Sequence, residues 1–177
     1  MRDKVFNKLD SADRELNQLW ELLLPYSEQQ LSARPSANAW SAKETIYHLI
    51  KAENLAHRYL EKKLSSPSNI EKAGWKSRWR SFKLQLVFGS PFKVPAPSIV
   101  SPVDMPELST KAMKAQWRKQ RDELRSYLET LSDEVYGKAV FNHPVVGRLS
   151  LPGMVDFFRQ HLIRHQGQIR RTLKQVS

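Results

Sequence analysis

Residues 65–104 read SSPSNIEKAGWKSRWRSFKLQLVFGSPFKVPAPSIVSPVD. A helix–helix connection usually takes about 2–8 residues, so this stretch is no ordinary turn. Pro67, Pro91, Pro95, Pro97 and Pro102 keep most of it extended, because a residue that precedes proline avoids the helical region. Trp75, Trp79 and Phe82 fall at helical spacing, which predicts a short helix within about Trp75–Phe88. The stretch is flanked by amphipathic helical patterns. A crossover this long lets the helices on either side run parallel, which a tight turn forbids.

Four segments carry the helical period. The first runs from Val5 to Leu31, with Leu9, Leu16, Leu19, Trp20, Leu23 and Leu24 on one stripe; the SARPSANAW stretch around Pro35 ends it. The second opens at Ser41, where Ser41 and Glu44 form the S-x-x-E pattern of a capping box. Its apolar face is Ile46, Leu49, Ile50, Leu55, Tyr59 and Leu60, and it reaches Leu64. The third runs from Ser109 to Leu131 on Met113, Trp117, Leu124, Leu128 and Leu131. The fourth spans Leu151 to Gln175, with Pro152 in its first turn, where a missing N–H costs nothing. Its stripe is Met154, Val155, Phe158, Leu162, Ile169 and Leu173. No internal repeat, low-complexity tract or β-hairpin pattern stands out. The expected fold is all-α: one domain over residues 1–177, a four-helix bundle in up-down-down-up order, with residues 65–106 as the crossover between helices two and three.

Composition narrows the chemistry. The chain has 177 residues, enough to bury a core without a staple. It has no cysteine, which excludes disulfides, thiolate-ligated zinc, iron–sulfur clusters and a thiol nucleophile. No run approaches the ~20 apolar residues of a membrane span. MRDKVFNKLD lacks the apolar core of a signal peptide, so a cytoplasmic protein is expected.

Five histidines remain: His48, His57, His143, His161 and His165. His161 and His165 are four residues apart, so a helix places both imidazoles on one face, one turn apart. They lie on the stripe of Phe158, Leu162 and Ile169 and point inward. Two imidazoles in an apolar interior need partners, and a metal ion is a natural one. His48 faces the core or its edge from the second helix. His57, nine residues on, is about half a turn around and is expected to meet solvent. Together His48, His161 and His165 offer three neutral imidazoles for a divalent ion such as zinc, nickel, iron or copper. Three protein ligands leave a position open for water or substrate, as in catalytic rather than structural sites. Each histidine taken alone also reads as a satisfied core residue.

Trp40-Ser41-Ala42-Lys43-Glu44-Thr45-Ile46-Tyr47-His48-Leu49 resembles the second-helix signature of the DinB-like family of metalloenzymes. Phe141-Asn142-His143-Pro144-Val145-Val146-Gly147, followed by His161-Leu162-Ile163-Arg164-His165-Gln166-Gly167-Gln168-Ile169, resembles its later signature, and Lys93–Pro102 resembles its Pro-rich crossover. The resemblance covers roughly Val5–Val176. It implies an up-down-down-up bundle, often a homodimer, with a metal triad that lands on His48, His161 and His165. It also implies a small-molecule substrate, since better-understood members include transferases that use low-molecular-weight thiols and a maleylpyruvate isomerase. The basic Lys72–Lys93 segment with Trp75 and Trp79 departs from those members.

An open metal position serves either hydrolysis or transfer of a thiol to an electrophile, and the residues do not choose between them. Glu44, one turn before His48, reads either as an acceptor or base beside the site or as a capping carboxylate. His143 reads as a residue at the mouth of the site or as a loop element. Arg164 and Gln168, each three residues from a ligand, read as contacts to substrate or imidazole, or as solvated side chains. The net charge is +11, and Lys72–Lys93 holds six basic residues and no acidic one. Basic and aromatic residues interleaved suit single-stranded nucleic acid, which makes a basic nucleic-acid-binding bundle the alternative. Against it, Trp75, Trp79 and Phe82 are expected to pack onto the bundle, and no nucleic-acid-binding signature is present. A relative that binds metal without catalysis is a further alternative.

Overall fold

The computed structural model describes residues 1–65, 73, 79–80, 98–143 and 146–177. Among them are five α-helices: α1 (Arg2–Leu23), α2 (Glu28–Ser32), α3 (Ala42–Leu64), α4 (Thr110–Glu129) and α5 (Leu151–Val176). Two short strands, β1 (Phe141–His143) and β2 (Gly147–Leu149), precede α5. The expected helix within Trp75–Phe88 and most of the basic Lys72–Lys93 segment lie outside the described residues. Trp79 is among the described residues and is 54% exposed.

Serine side chains start every described α-helix but α1. Ser41 Oγ accepts from the Glu44 amide at 3.1 Å, and Glu44 Oε2 accepts from the Ser41 amide at 2.8 Å, closing the predicted capping box. Ser109 and Ser150 cap α4 and α5 through the amides of Ala112 and Gly153.

The first helix departs from expectation. It stops at Leu23, and a separate α2 begins at Glu28 with its own capping box, Ser27 to Gln30. Pro25 lacks an N–H and its ring crowds the preceding turn, so one helix to Leu31 cannot form. Leu24, placed on the apolar stripe, is consequently 77% exposed. Tyr59, also assigned to an apolar face, is exposed, and Leu55 is only partly buried.

Two apolar clusters fix the helix directions. At one end Val5, Leu9 and Ala12 of α1 meet Ala56 and Leu60 of α3, Leu124 and Leu128 of α4, and Leu151–Phe158 of α5. At the other, Leu16–Leu23 meet Ala42–Ile50, Met113 and Trp117, and Leu162–Leu173. Early α1 thus packs with early α5 but with late α3 and late α4. The order is up-down-down-up, with α3 and α4 parallel as the crossover length predicts.

The hairpin was not foreseen. Phe141 pairs with Leu149, Asn142 with Arg148 and His143 with Gly147. Three-residue strands are too short to show an alternating pattern. Gly147 has φ 79°, in the left-handed region that glycine enters without steric cost. Pro144 and Val145, at the turn, lie outside the described residues. No helix among the described residues is long and apolar enough to cross a membrane.

A charged network crosses the interior. The buried Arg121 of α4 forks onto the buried Glu53 of α3, Nη2 to Oε1 at 2.7 Å and Nε to Oε2 at 2.5 Å. Trp117 Nε1 donates to the same Glu53 Oε2 at 2.8 Å, and Arg121 Nη1 reaches Asp13 of α1 at 2.8 Å. Removing one member of such a pair strands the other charge in low dielectric. Glu53→Gln and Arg121→Met are each expected to cost about 3–5 kcal/mol of unfolding free energy, read by urea titration. The double variant Glu53→Leu, Arg121→Met should recover most of that loss. Single-variant losses under about 1 kcal/mol would mean the pair is well solvated.

Candidate metal centre

Helix α3 carries His48 on its core face, and α5 carries His161 and His165 one turn apart. The bundle brings them together. His48 Nε2 lies 3.1 Å from His161 Nε2, and His165 Nε2 lies 3.0 Å from the same atom. All three ligand atoms fall within 4.8 Å of one another. The rings meet edge to face, with centroids 4.6–5.0 Å apart.

Hydrogen bonds on the far side of the rings set the tautomers. His48 Nδ1 lies 2.8 Å from the Val100 carbonyl, which can only accept. Nδ1 therefore carries the hydrogen, and Nε2 presents a lone pair. His165 Nδ1 lies 2.9 Å from Gln168 Oε1. The Gln168 amide is oriented by Thr45: its Nε2 donates to Thr45 Oγ1 at 3.4 Å, and that hydroxyl donates in turn to the Ser41 carbonyl at 2.9 Å. His165 thus donates through Nδ1 and also turns a lone pair inward. His161 Nε2 can carry at most one hydrogen, so three converging nitrogens share at most one. A cation resolves that conflict. Tetrahedral zinc with Zn–N bonds of about 2.0–2.1 Å spaces its nitrogens about 3.3 Å apart, close to the two separations from His161 Nε2. The residues fit a divalent ion.

Burial holds the imidazoles neutral, the form that ligates. It pushes His161 well below the usual histidine range, helped by its neighbours His165 and His48. It pushes His165 down to about 3 and lowers His48 against the opposing effect of the Val100 bond.

Aromatic rings wall the cluster. Trp40 lies 5.2 Å from the His48 ring, centroid to centroid. Phe157 stacks on His161 at 5.1 Å and 18°. Phe157 is one helical turn before His161, a spacing that could have flagged it in the sequence.

The other candidates separate. Gln168 orients His165, as described. Arg164 is close enough for its charge to disfavour protonation of both His161 and His165. His143 stays outside the triad: its ring packs on Phe157 at 4.5 Å, and its Nδ1 accepts from the Val146 amide at 3.4 Å. Burial pushes it down to about 4. Glu44 is not directed at His48. Its carboxylate is taken by the Ser41 amide and a two-pronged bond from Arg34, so it caps α3. His57, expected to meet solvent, is 7% exposed. Its ring packs 5.5 Å from Tyr127, and its Nε2 lies 3.7 Å from Glu61. The parallel α4 covers the side of α3 opposite His48, which a helical wheel of α3 alone cannot show. The Val100 carbonyl also had no signal in the sequence, because any residue supplies one.

These shifts set the acid stability of metal-free protein. In the unfolded chain a histidine takes a proton near pH 6.5, while the buried ones resist until far lower. Their contribution is complete above about pH 6.5 and is lost as pH falls toward about 4 for His143 and about 3 for His165. His143 alone accounts for about 3 kcal/mol across that window. Chelator-treated His143→Phe should show a shallower fall in unfolding free energy between pH 6.5 and 4 than wild type. Parallel curves would contradict the burial effect at His143.

Comparison with known proteins agrees with this architecture. A family model described as the DinB superfamily matches residues 9–169. YuaE of Bacillus subtilis (strain 168), described as an uncharacterized protein, is 26% identical over 160 residues, covering 89% of this chain and 92% of YuaE. The solved structure of Bacillus subtilis YfiT superposes with a TM-score of 0.57 at 16% identity. It covers 98% of this chain and 86% of YfiT, which is described as a probable metal-dependent hydrolase with an unusual four-helix bundle topology. At that identity the likeness is one of fold. With the family model matching nearly the whole of its bundle, this chain belongs to the DinB superfamily.

Proposed function

We propose that this chain is a metal-dependent enzyme acting on a small molecule, with His48, His161 and His165 holding one divalent ion. The observation that carries this reading is the convergence of three Nε2 atoms at 3.0–3.1 Å steps, two with lone pairs fixed inward. A divalent ion there supplies Lewis acidity, which makes a water or a thiol acidic enough to act as a nucleophile near neutral pH. The protein's part is to hold the imidazoles neutral, fix their tautomers through Val100 and Gln168, and limit water around them with Trp40 and Phe157. Arg164 adds positive charge beside the centre, which favours an anionic substrate or nucleophile.

Hydrolysis and thiol transfer share this nucleophile-activating step. The description of YfiT as a probable metal-dependent hydrolase supports the first; the resemblance to thiol-using transferases supports the second. The nucleic-acid reading has less support. Lys8, Arg34, Lys43, Lys51, Arg121, Arg125 and Arg159 all pair with carboxylates of this chain. These seven of the 29 basic residues are engaged internally.

Metal analysis of untagged protein should find one divalent ion per chain. His48→Ala, His161→Ala and His165→Ala should each lose it while keeping their helical circular dichroism. Activity against ester and amide panels, or against thiols paired with electrophiles, should fall about 100-fold or more in each. Tight stoichiometric metal in all three variants refutes the site. Salt-sensitive oligonucleotide binding by metal-free protein would favour the nucleic-acid reading instead.

A further inference from the structure

The described end of the crossover lies against α3 at two consecutive carbonyls. Val100, closing the Ser98–Val100 turn, gives its oxygen to His48 Nδ1 at 2.8 Å. Ser101, the next residue, gives its oxygen to Lys51 Nζ at 3.2 Å. His48 and Lys51 are three residues apart and so share one face of α3. Lys51 also pairs with Asp104 Oδ1 at 2.5 Å, and its ammonium sits 5.8 Å from the centre of the Tyr47 ring. Its side chain is 22% exposed, so its bonds are only partly open to competition from water. Downstream, the buried Pro102 and the partly buried Met105 and Leu108 anchor the same segment to the bundle.

We propose that Lys51 is a positioning residue for the metal centre: by clamping residues 98–104 to α3 it keeps the Val100 carbonyl on His48, so that metal loading and docking of this segment form one coupled equilibrium. The inference rests on the metal-centre reading above. A metal on His48 Nε2 draws electron density from the ring, which makes Nδ1–H a better donor to Val100. The reverse holds by linkage: a docked Val100 carbonyl makes Nε2 more basic and holds its ring in place. Lys51 touches no ligand atom and acts through the geometry of two neighbouring peptide groups. The end of the crossover is thereby part of the site, and the metal is part of what holds it down.

The test uses full-length protein and zinc alone as the probe. In wild type, zinc should slow amide exchange in residues 99–105. Lys51→Ala, which keeps all three histidines and suits a helix, should bind zinc about tenfold more weakly. It should exchange faster over residues 99–105 and lose most of the zinc-dependent slowing. Lys51→Arg should restore both. Asp104→Ala, at the exposed end of the clamp, should give a smaller loss in the same direction. Lys43→Ala removes a different ion pair on α3, with Glu28, and should leave zinc affinity unchanged. Wild type that binds no zinc overturns the metal-centre reading itself. Wild type that binds zinc without slower exchange over 99–105 overturns the coupling alone. So does Lys51→Ala with zinc affinity within twofold of wild type.

Discussion

Three imidazole nitrogens converge, two of them within hydrogen-bond distance of the third, with at most one hydrogen to share among them. In water such lone pairs would each find a donor. Here burial removes the water, and the bonds behind the rings remove the freedom to flip. Val100 and the Gln168–Thr45–Ser41 chain hold the nitrogens in a conflict that a cation settles. Much of the local structure follows from that arrangement. Thr45 and Ser41 occupy the first turn of α3 and serve its cap as well as the chain behind His165. Trp40 and Phe157 pack against the rings, and the end of the crossover supplies a carbonyl. The centre is therefore built from two helices, one helix start and one connection, and it stands or falls with the packing of all four.

The Glu53–Arg121 pair plays a different part in the same bundle. It joins the middle of α3 to α4 and, through Asp13, to α1, between the two apolar clusters. A parallel pair of helices with no tight turn between them has nothing local to fix its register. A bidentate bond between two buried charges does fix it, because sliding by one turn would leave both unpaired.

The periodic parts of the fold were legible and the aperiodic parts were not. The Ser41–Glu44 capping box, Pro152 in the first turn of α5 and apolar residues at three- and four-residue steps placed α3, α4 and α5 within a residue or two. The histidine spacing placed the imidazoles on facing stripes. Pro25 sits inside the apolar stripe that runs from Leu9 to Leu31, so the period continues where the missing N–H ends α1. The hairpin of Phe141–Leu149 was too short to display a period. His57 was misplaced because a helical wheel knows nothing of a second helix lying parallel on its far side. Glu44 illustrates the opposite case, where the duller of two readings, a capping carboxylate, is what the contacts show. The backbone carbonyl of Val100 carries no side-chain identity at all, so no inspection of residue types could have found it.

The helix order also bears on how the chain reaches this state. The first and last helices lie side by side along most of their length, from Lys8 against Asp156 to Glu15 against Arg159 and Gln166. The two sides of the metal centre, His48 and His161, are 113 residues apart. In a bundle of successive hairpins each helix could zip onto the one before it. Here α1 must wait for α5, and during synthesis neither core nor site can close until the last helix has emerged. Loop closure over that span comes before the contacts that reward it, which makes for slower folding than in bundles with local connections. Until then the apolar face of α1 is exposed, and that interval is when the nascent chain is most open to chaperones, or to a second copy of itself.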